Sequence, residues 1–126
     1  MTERAGVIEY EGVKILYSDY SDLAGQEFID LIWENNKKFL DRPPEELKDS
    51  LVLLDITKST VSRSAVKAFE ESGKMVHPHQ KALAVIGVVG LKRVFVDFLS
   101  RITHINARIF TTAQDALDWL VEQSKK

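Results

Sequence analysis

There is no cysteine in the 126 residues, which excludes disulfides, thiolate metal sites and cysteine nucleophiles at once. That composition fits a reducing compartment. Long hydrophobic runs are missing as well: the longest, Ala82 to Leu91, is far short of the ~20 residues that a membrane-crossing helix needs. Residues 1–9 carry no apolar stretch of the kind a secretory signal has, so a cytoplasmic protein is expected, with any membrane contact peripheral. No charge of one sign dominates. Seventeen Lys and Arg stand against 19 Asp and Glu, for a net charge of −2, which gives no basic footprint for nucleic acid. Only three prolines and six glycines interrupt the chain, so each is informative as punctuation.

What is present is ordinary globular material, 44% hydrophobic and 29% charged. The length is right for one domain, here residues 1–126, with a self-sufficient core. No repeat, low-complexity tract or linker divides it. Val7–Tyr10 and Val13–Tyr17 are β-rich runs around Glu11-Gly12 and read as a hairpin, Gly12 supplying a positive φ. Gln26 to Leu40 reads as a helix with Phe28, Leu31, Ile32 and Phe39 near one face, stopped by Asp41-Arg42-Pro43-Pro44. Leu51–Ile56 and Ala82–Val89 are short, nearly continuous apolar runs, as expected of parallel strands covered on both faces.

Between those strands, the hydroxyl-rich stretch Thr57–Ser64 can cap a helix over Ser64–Ser72, with Gly73 as its C′ residue. Leu91, Val94, Phe95, Phe98, Leu99 and Ile102 recur at helical spacing and form the cleanest amphipathic helix of the chain. Ala107–Phe110 is a short strand. Thr112 and Asp115 have capping-box spacing and open a last helix, Ala113–Gln123. The order is strand, strand, helix, then three strand–helix units, which argues for a mostly parallel sheet with one antiparallel strand at an edge.

In order, the runs VIEYEGVKILYSDYSDL, LVLLDIT, ALAVIGVVGLKRVFVDFL and IFTTAQDALDWLVEQ resemble the SpoIIAA-like family of small α/β domains, grouped with STAS and Sec14-type folds. The resemblance covers nearly the whole chain. It implies a STAS/Sec14-like α/β sandwich of about five strands, mostly parallel with an antiparallel first strand, and four helices. It also implies two activities. One is a STAS-type regulator, an anti-sigma-antagonist-like protein that binds a partner until a serine at a helix start is phosphorylated. The other is a Sec14-like role, an apolar cavity under a movable helix with transient membrane contact. Matching LVLLDIT to the strand before the STAS motif places Ser64 at the phosphorylatable position. Arg63 stands where that motif is acidic, and Ala65 and Val66 replace its second serine and its glycine.

Sites in open α/β sheets lie beyond the carboxyl ends of the strands. That edge would gather residues 19–25, 57–64, 87–92 and 110–112. Gly87 and Gly90, with Lys92 and Arg93 following, could bring backbone N–H groups to a phosphate or lipid headgroup, or simply make a tight strand-to-helix turn. Thr57, Ser59 and their neighbouring hydroxyls could bind a ligand, or cap and turn the chain. His77-Pro78-His79 offers too few ligands for zinc and reads as a surface loop. Asp55 is expected to hold loop backbone, because the rest of a receiver-type magnesium pattern is missing. Glu45, Glu46, Lys48 and Asp49 read as a solvated connection, and Trp33 and Trp119 as partly buried.

The leading expectation is a non-enzymatic binding module without cofactor or metal. It would hold a small apolar or amphipathic, lipid-like ligand against Leu91, Val94, Phe95 and Phe98, with Gly87, Gly90 and Lys92 near any anionic group and Thr57 and Ser59 close by. The alternative is a protein-interaction regulator switched at Ser64, and a homodimer is compatible with either. An enzyme ranks last, since no nucleophile motif is present.

Overall fold

A computed structural model describes residues 4–88 and 106–126. Strands β1 (Ala5–Tyr10) and β2 (Val13–Asp19) form the expected hairpin. Its two turn residues, Glu11 and Gly12, both take positive φ, 51° and 79°, the twist that lets a two-residue loop join paired strands. Helix α1 (Gly25–Leu40) follows, with Glu27 in its first turn and Lys37 and Lys38 in its last, matching the helix dipole. It ends at Asp41, ahead of Pro43. The short helix α2 (Pro44–Leu47) occupies the connection expected to be a solvated loop. Leu47 is buried, and an Arg42–Glu46 ion pair at 3.0 Å spans the turn.

Strand β3 (Ser50–Asp55), helix α3 (Arg63–Val76), a 3-10 turn (His77–His79) and strand β4 (Gln80–Ile86) come next. After the undescribed stretch come β5 (Ala107–Phe110) and helix α4 (Ala113–Ser124). The five strands lie in chain order, β1-β2-β3-β4-β5, antiparallel between β1 and β2 and parallel thereafter. That is the mixed sheet the alternation of elements implied. The amphipathic stretch Leu91–Ile102, expected to be a helix, lies outside the described residues.

Side chains alternate across the sheet and separate two cores. Leu16, Val52, Leu54, Leu83 and Val85 face α1 and α3, where Phe28, Ile32 and Phe69 meet them. Tyr20, Phe28 and Phe69 pack as a trio of rings with centroids 5.3–5.6 Å apart. On the other face Ile15, Leu51, Leu53, Ala82, Ala84 and Ile86 meet Ala116, Trp119 and Leu120 of α4. The small Ala82 and Ala84 admit Trp119, which is buried against Phe110 at a centroid distance of 5.4 Å. Burial on both faces explains why β3 and β4 read as unbroken apolar runs. Thr112 caps α4 as its spacing implied, accepting from the Asp115 N–H at 3.1 Å.

Three expectations need correction. Helix α3 does not stop at Ser72. It continues to Val76, and Gly73 lies inside it rather than at C′. The glycine is there for a side chain, not for a turn: a Cβ on Gly73 would sit 2.3 Å from His77 Nε2. In consequence His77 is not in a surface loop. It is buried at the end of α3, with Nδ1 2.8 Å from Gln80 Oε1. Strand β4 also closes at Ile86 rather than Val89, because Gly87 turns the chain at φ 85°. Among the described residues no helix is long and apolar enough to cross a membrane.

Candidate functional site

The carboxyl edge of the parallel strands is built from two loops tied together by backbone. Residues 20–24 leave β2 and residues 56–62 leave β3. The N–H groups of Tyr20 and Asp22 donate to the carbonyls of Asp55 (2.7 Å) and Thr57 (3.0 Å), and the Thr60 N–H donates to Leu23 O at 2.9 Å. The Ile56 N–H reaches across to Ile86 O at 3.0 Å. Asp55 holds its own loop as expected: Oδ1 accepts from the Thr57 N–H at 2.9 Å and from the Thr57 hydroxyl at 2.5 Å. Asp19 does the same for its loop, accepting from the Ser21 N–H at 2.9 Å and lying 3.6 Å from the Arg4 guanidinium.

The expected hydroxyl cluster divides by role. Ser59 is buried, and its Oγ lies 2.7 Å from the carbonyls of both Tyr20 and Ile56, so its hydroxyl is spent on backbone. Thr57 is exposed and engaged by Asp55. Ser62 is the N-cap of α3, its hydroxyl accepting from the Ala65 N–H at 3.1 Å. Ser64 is exposed in the first turn of α3. Because Ser62 does the capping, the Ser64 hydroxyl is held by no group among the described residues. Arg63 and Lys67 flank it, both exposed.

Gly87 belongs to the same edge, and its absent side chain has a steric cause. A Cβ there would lie 2.4 Å from the Thr57 nitrogen and 2.6 Å from its Cα, so β4 ends in backbone contact with the β3–α3 loop. The other residues expected around it, Gly90, Leu91, Lys92, Val94, Phe95 and Phe98, lie outside the described residues. On the α4 side of this edge is an open groove of about 240 Å³. Its walls are mainly apolar, with Tyr17, Leu53 and Ile86 among them, and Asp19 and Asp55 also belong to the lining.

A second concavity, not expected from the sequence, lies on the opposite face between α1, α3 and the sheet, toward the C-terminal ends of the two helices. Its volume is about 60 Å³. Asn35, Asn36, Ser72 and His77 line it, all buried, opposite Val52 and Leu83. Asn36 Nδ2 donates to Ser72 Oγ at 2.7 Å, joining the helices. Tyr20 reaches in from the loop after β2, its phenol hydrogen-bonded by the Asn35 and Ser18 side chains, while burial pushes its pKa up to about 12. One part of the signal for this cavity is legible in the sequence. Asn35 and Asn36 stand three and four residues after Ile32, which puts two amides on the apolar stripe of α1.

Among the described residues no group of three or more His, Asp or Glu side chains is placed to hold a metal ion. What the architecture defines is a three-layer α/β domain with a five-stranded mixed sheet and a hydroxyl-bearing carboxyl edge tied by loop-to-loop backbone hydrogen bonds. A solved structure shares it. The crystal structure of an uncharacterised DUF3478-family protein with a SpoIIAA-like fold, from Shewanella loihica PV-4, is similar over 92% of this chain and 91% of its own. The TM-score is 0.69 at 21% sequence identity, so the fold of this chain is SpoIIAA-like. No family model matches the sequence, and no curated protein does.

Proposed function

We propose that this chain is a non-enzymatic regulatory module of the STAS type, which binds a protein partner through the β3–α3 loop and the first turn of α3. One observation carries the reading: Ser64 is exposed at the start of α3, capping falls to Ser62, and no group among the described residues engages the Ser64 hydroxyl. A phosphate on Ser64 would meet the positive end of the helix dipole and the cations of Arg63 and Lys67. The change is local and electrostatic, and it falls on a surface that the two interlaced loops already hold in shape, so little ordering cost attends binding. The test is affinity capture from source-cell extract with Ser64→Ala and Ser64→Asp forms, read by quantitative mass spectrometry. The expected result is a partner whose recovery differs at least tenfold between them. Identical recoveries would reject the switch.

A small apolar or amphipathic ligand is the second reading, favoured by the groove beside Tyr17, Leu53 and Ile86. Asp19 and Asp55 in its lining suit an uncharged or cationic head better than a phosphate. A lipid-like ligand under residues 91–102, with transient membrane contact, would extend this reading. Native mass spectrometry of gently purified protein tests it: a mass excess lost on denaturation supports a carried ligand, and a clean apo mass counts against it.

A further inference from the structure

The geometry points to a second binding site in the cavity between α1 and α3, made for the hydroxyl or amide end of an uncharged molecule. Helix faces that pack on a sheet are normally apolar, because a buried polar group without a partner costs on the order of 1–3 kcal/mol. Here five polar side chains are more than nine-tenths buried around one cavity: Tyr20 4%, Asn35 3%, Asn36 7%, Ser72 8% and His77 8% exposed. Most satisfy one another. Asn36 serves Ser72, His77 Nδ1 meets Gln80, and Asn35 uses its Nδ2 donor side, toward Arg4 O at 3.5 Å and the Tyr20 phenol oxygen. Asn35 Oδ1 is different. It is buried, belongs to the lining, and has no hydrogen-bond partner among the described residues. A buried lone acceptor calls for a donor from outside the chain.

The lining sets the chemistry of that donor. Among the described residues no Lys, Arg, Asp or Glu lines the cavity, so a charged ligand would be buried without a counter-ion. The wall facing the amides is apolar, with Val52, Leu54 and Leu83, which suits a short alkyl segment beside the donor. A cavity of about 150 Å³ holds benzene, so 60 Å³ holds about two or three heavy atoms, with any longer portion projecting from the mouth. A primary alcohol or primary amide end meets all three demands. This site is separate from the Ser64 surface in position and chemistry, and the failure of either leaves the other standing.

The test compares ethanol with acetonitrile, two probes of three heavy atoms of which only ethanol can donate. NMR would follow the Asn35 and Asn36 side-chain amides and the Val52, Leu54 and Leu83 methyls. Ligand-efficiency limits put the dissociation constant for so small a probe at roughly 0.5 mM or weaker. The expected result is saturable shifts with ethanol and binding about tenfold weaker with acetonitrile, the loss of one hydrogen bond. Asn35→Leu, of similar size but without the acceptor, should erase that preference while the spectrum shows a folded chain. Should that variant not fold, the two-probe comparison on the unaltered protein decides alone. Equal affinities, shifts that never saturate, or a cavity whose water neither probe displaces would each overturn the site.

Discussion

Thr57 and Gly87 meet backbone to backbone: a Cβ on Gly87 would fall 2.4 Å from the Thr57 nitrogen, and the glycine holds φ at 85°. The contact locks the end of β4 to the loop that ends at Ser62 and leads into the α3 turn bearing Ser64. Gly87→Ala should therefore be doubly costly, through strain and through displacement of Thr57. A loss of about 2–4 kcal/mol in urea unfolding is expected. A substitution cost within about 0.5 kcal/mol would show that the loop yields freely.

Gly73 and His77 offer a cleaner case, because helix propensity predicts the opposite sign. Alanine in place of a helix-interior glycine ordinarily stabilises by roughly 0.5–1 kcal/mol. Here the added methyl meets the buried His77 ring at 2.3 Å. Gly73→Ala should instead destabilise by about 1–3 kcal/mol. In the double variant Gly73→Ala, His77→Ala the clash disappears, so the pair should cost less than the sum of the single changes. A double-mutant cycle by denaturant unfolding reads this directly, and strict additivity would refute the contact.

That pair also shows where the sequence was legible and where it was not. β3 and β4 were readable because parallel strands covered on both faces leave an unbroken apolar run, and Glu11-Gly12 announced its turn through local backbone chemistry. Thr112 and Asp115 announced a helix start the same way. Gly73 misled because a glycine after a helical pattern ordinarily stops the helix, and its real cause, the ring of His77, is a tertiary contact. The polar cavity was missed for a related reason. Asn35 and Asn36 stand at apolar-stripe positions, but Tyr20 and Ser72 come from other elements, and only the fold brings them together. Ser64 enters as a candidate only through its resemblance to a motif, and its exposed place in the first turn of α3 is what the fold adds. That Ser62 does the capping was beyond reach, since either serine has the composition of a cap.

The division of labour between Ser62 and Ser64 is measurable as stability. Ser62→Ala removes the acceptor for the Ala65 N–H and should cost about 1 kcal/mol. Ser64→Ala removes a solvent-facing hydroxyl and should stay within about 0.5 kcal/mol. Ser64→Asp adds a negative charge to the first helical turn and should be neutral or stabilising by a few tenths of a kcal/mol, about 0.3–1 at low salt. Thermal unfolding of the three variants checks the assignment. The reverse order would make Ser64 the cap and remove its availability as a switch. The small stability effect also means that any change in partner binding at Ser64 cannot be blamed on unfolding.

Tyr20 gives the fold a dependence on high pH. Its phenol is pushed up to about 12 by burial, against an ordinary value of 10.0, with its contacts to Asn35 and Ser18 pulling the other way. The unfolded chain releases this proton near pH 10 and the folded chain only near 12. The folded state therefore binds more protons between those limits, and stability falls as pH rises through the window. The contribution is complete below pH 10 and is lost by about pH 12, amounting to roughly 2–3 kcal/mol. Tyr20→Phe should flatten this part of the stability profile. It should also lower stability at neutral pH by about 1–2 kcal/mol, because Asn35 and Ser18 lose a partner in the cavity wall. Urea midpoints measured from pH 8 to 12 for both proteins test the two effects together. Parallel profiles would mean that the phenol is reached by solvent and ionises without cost to the fold.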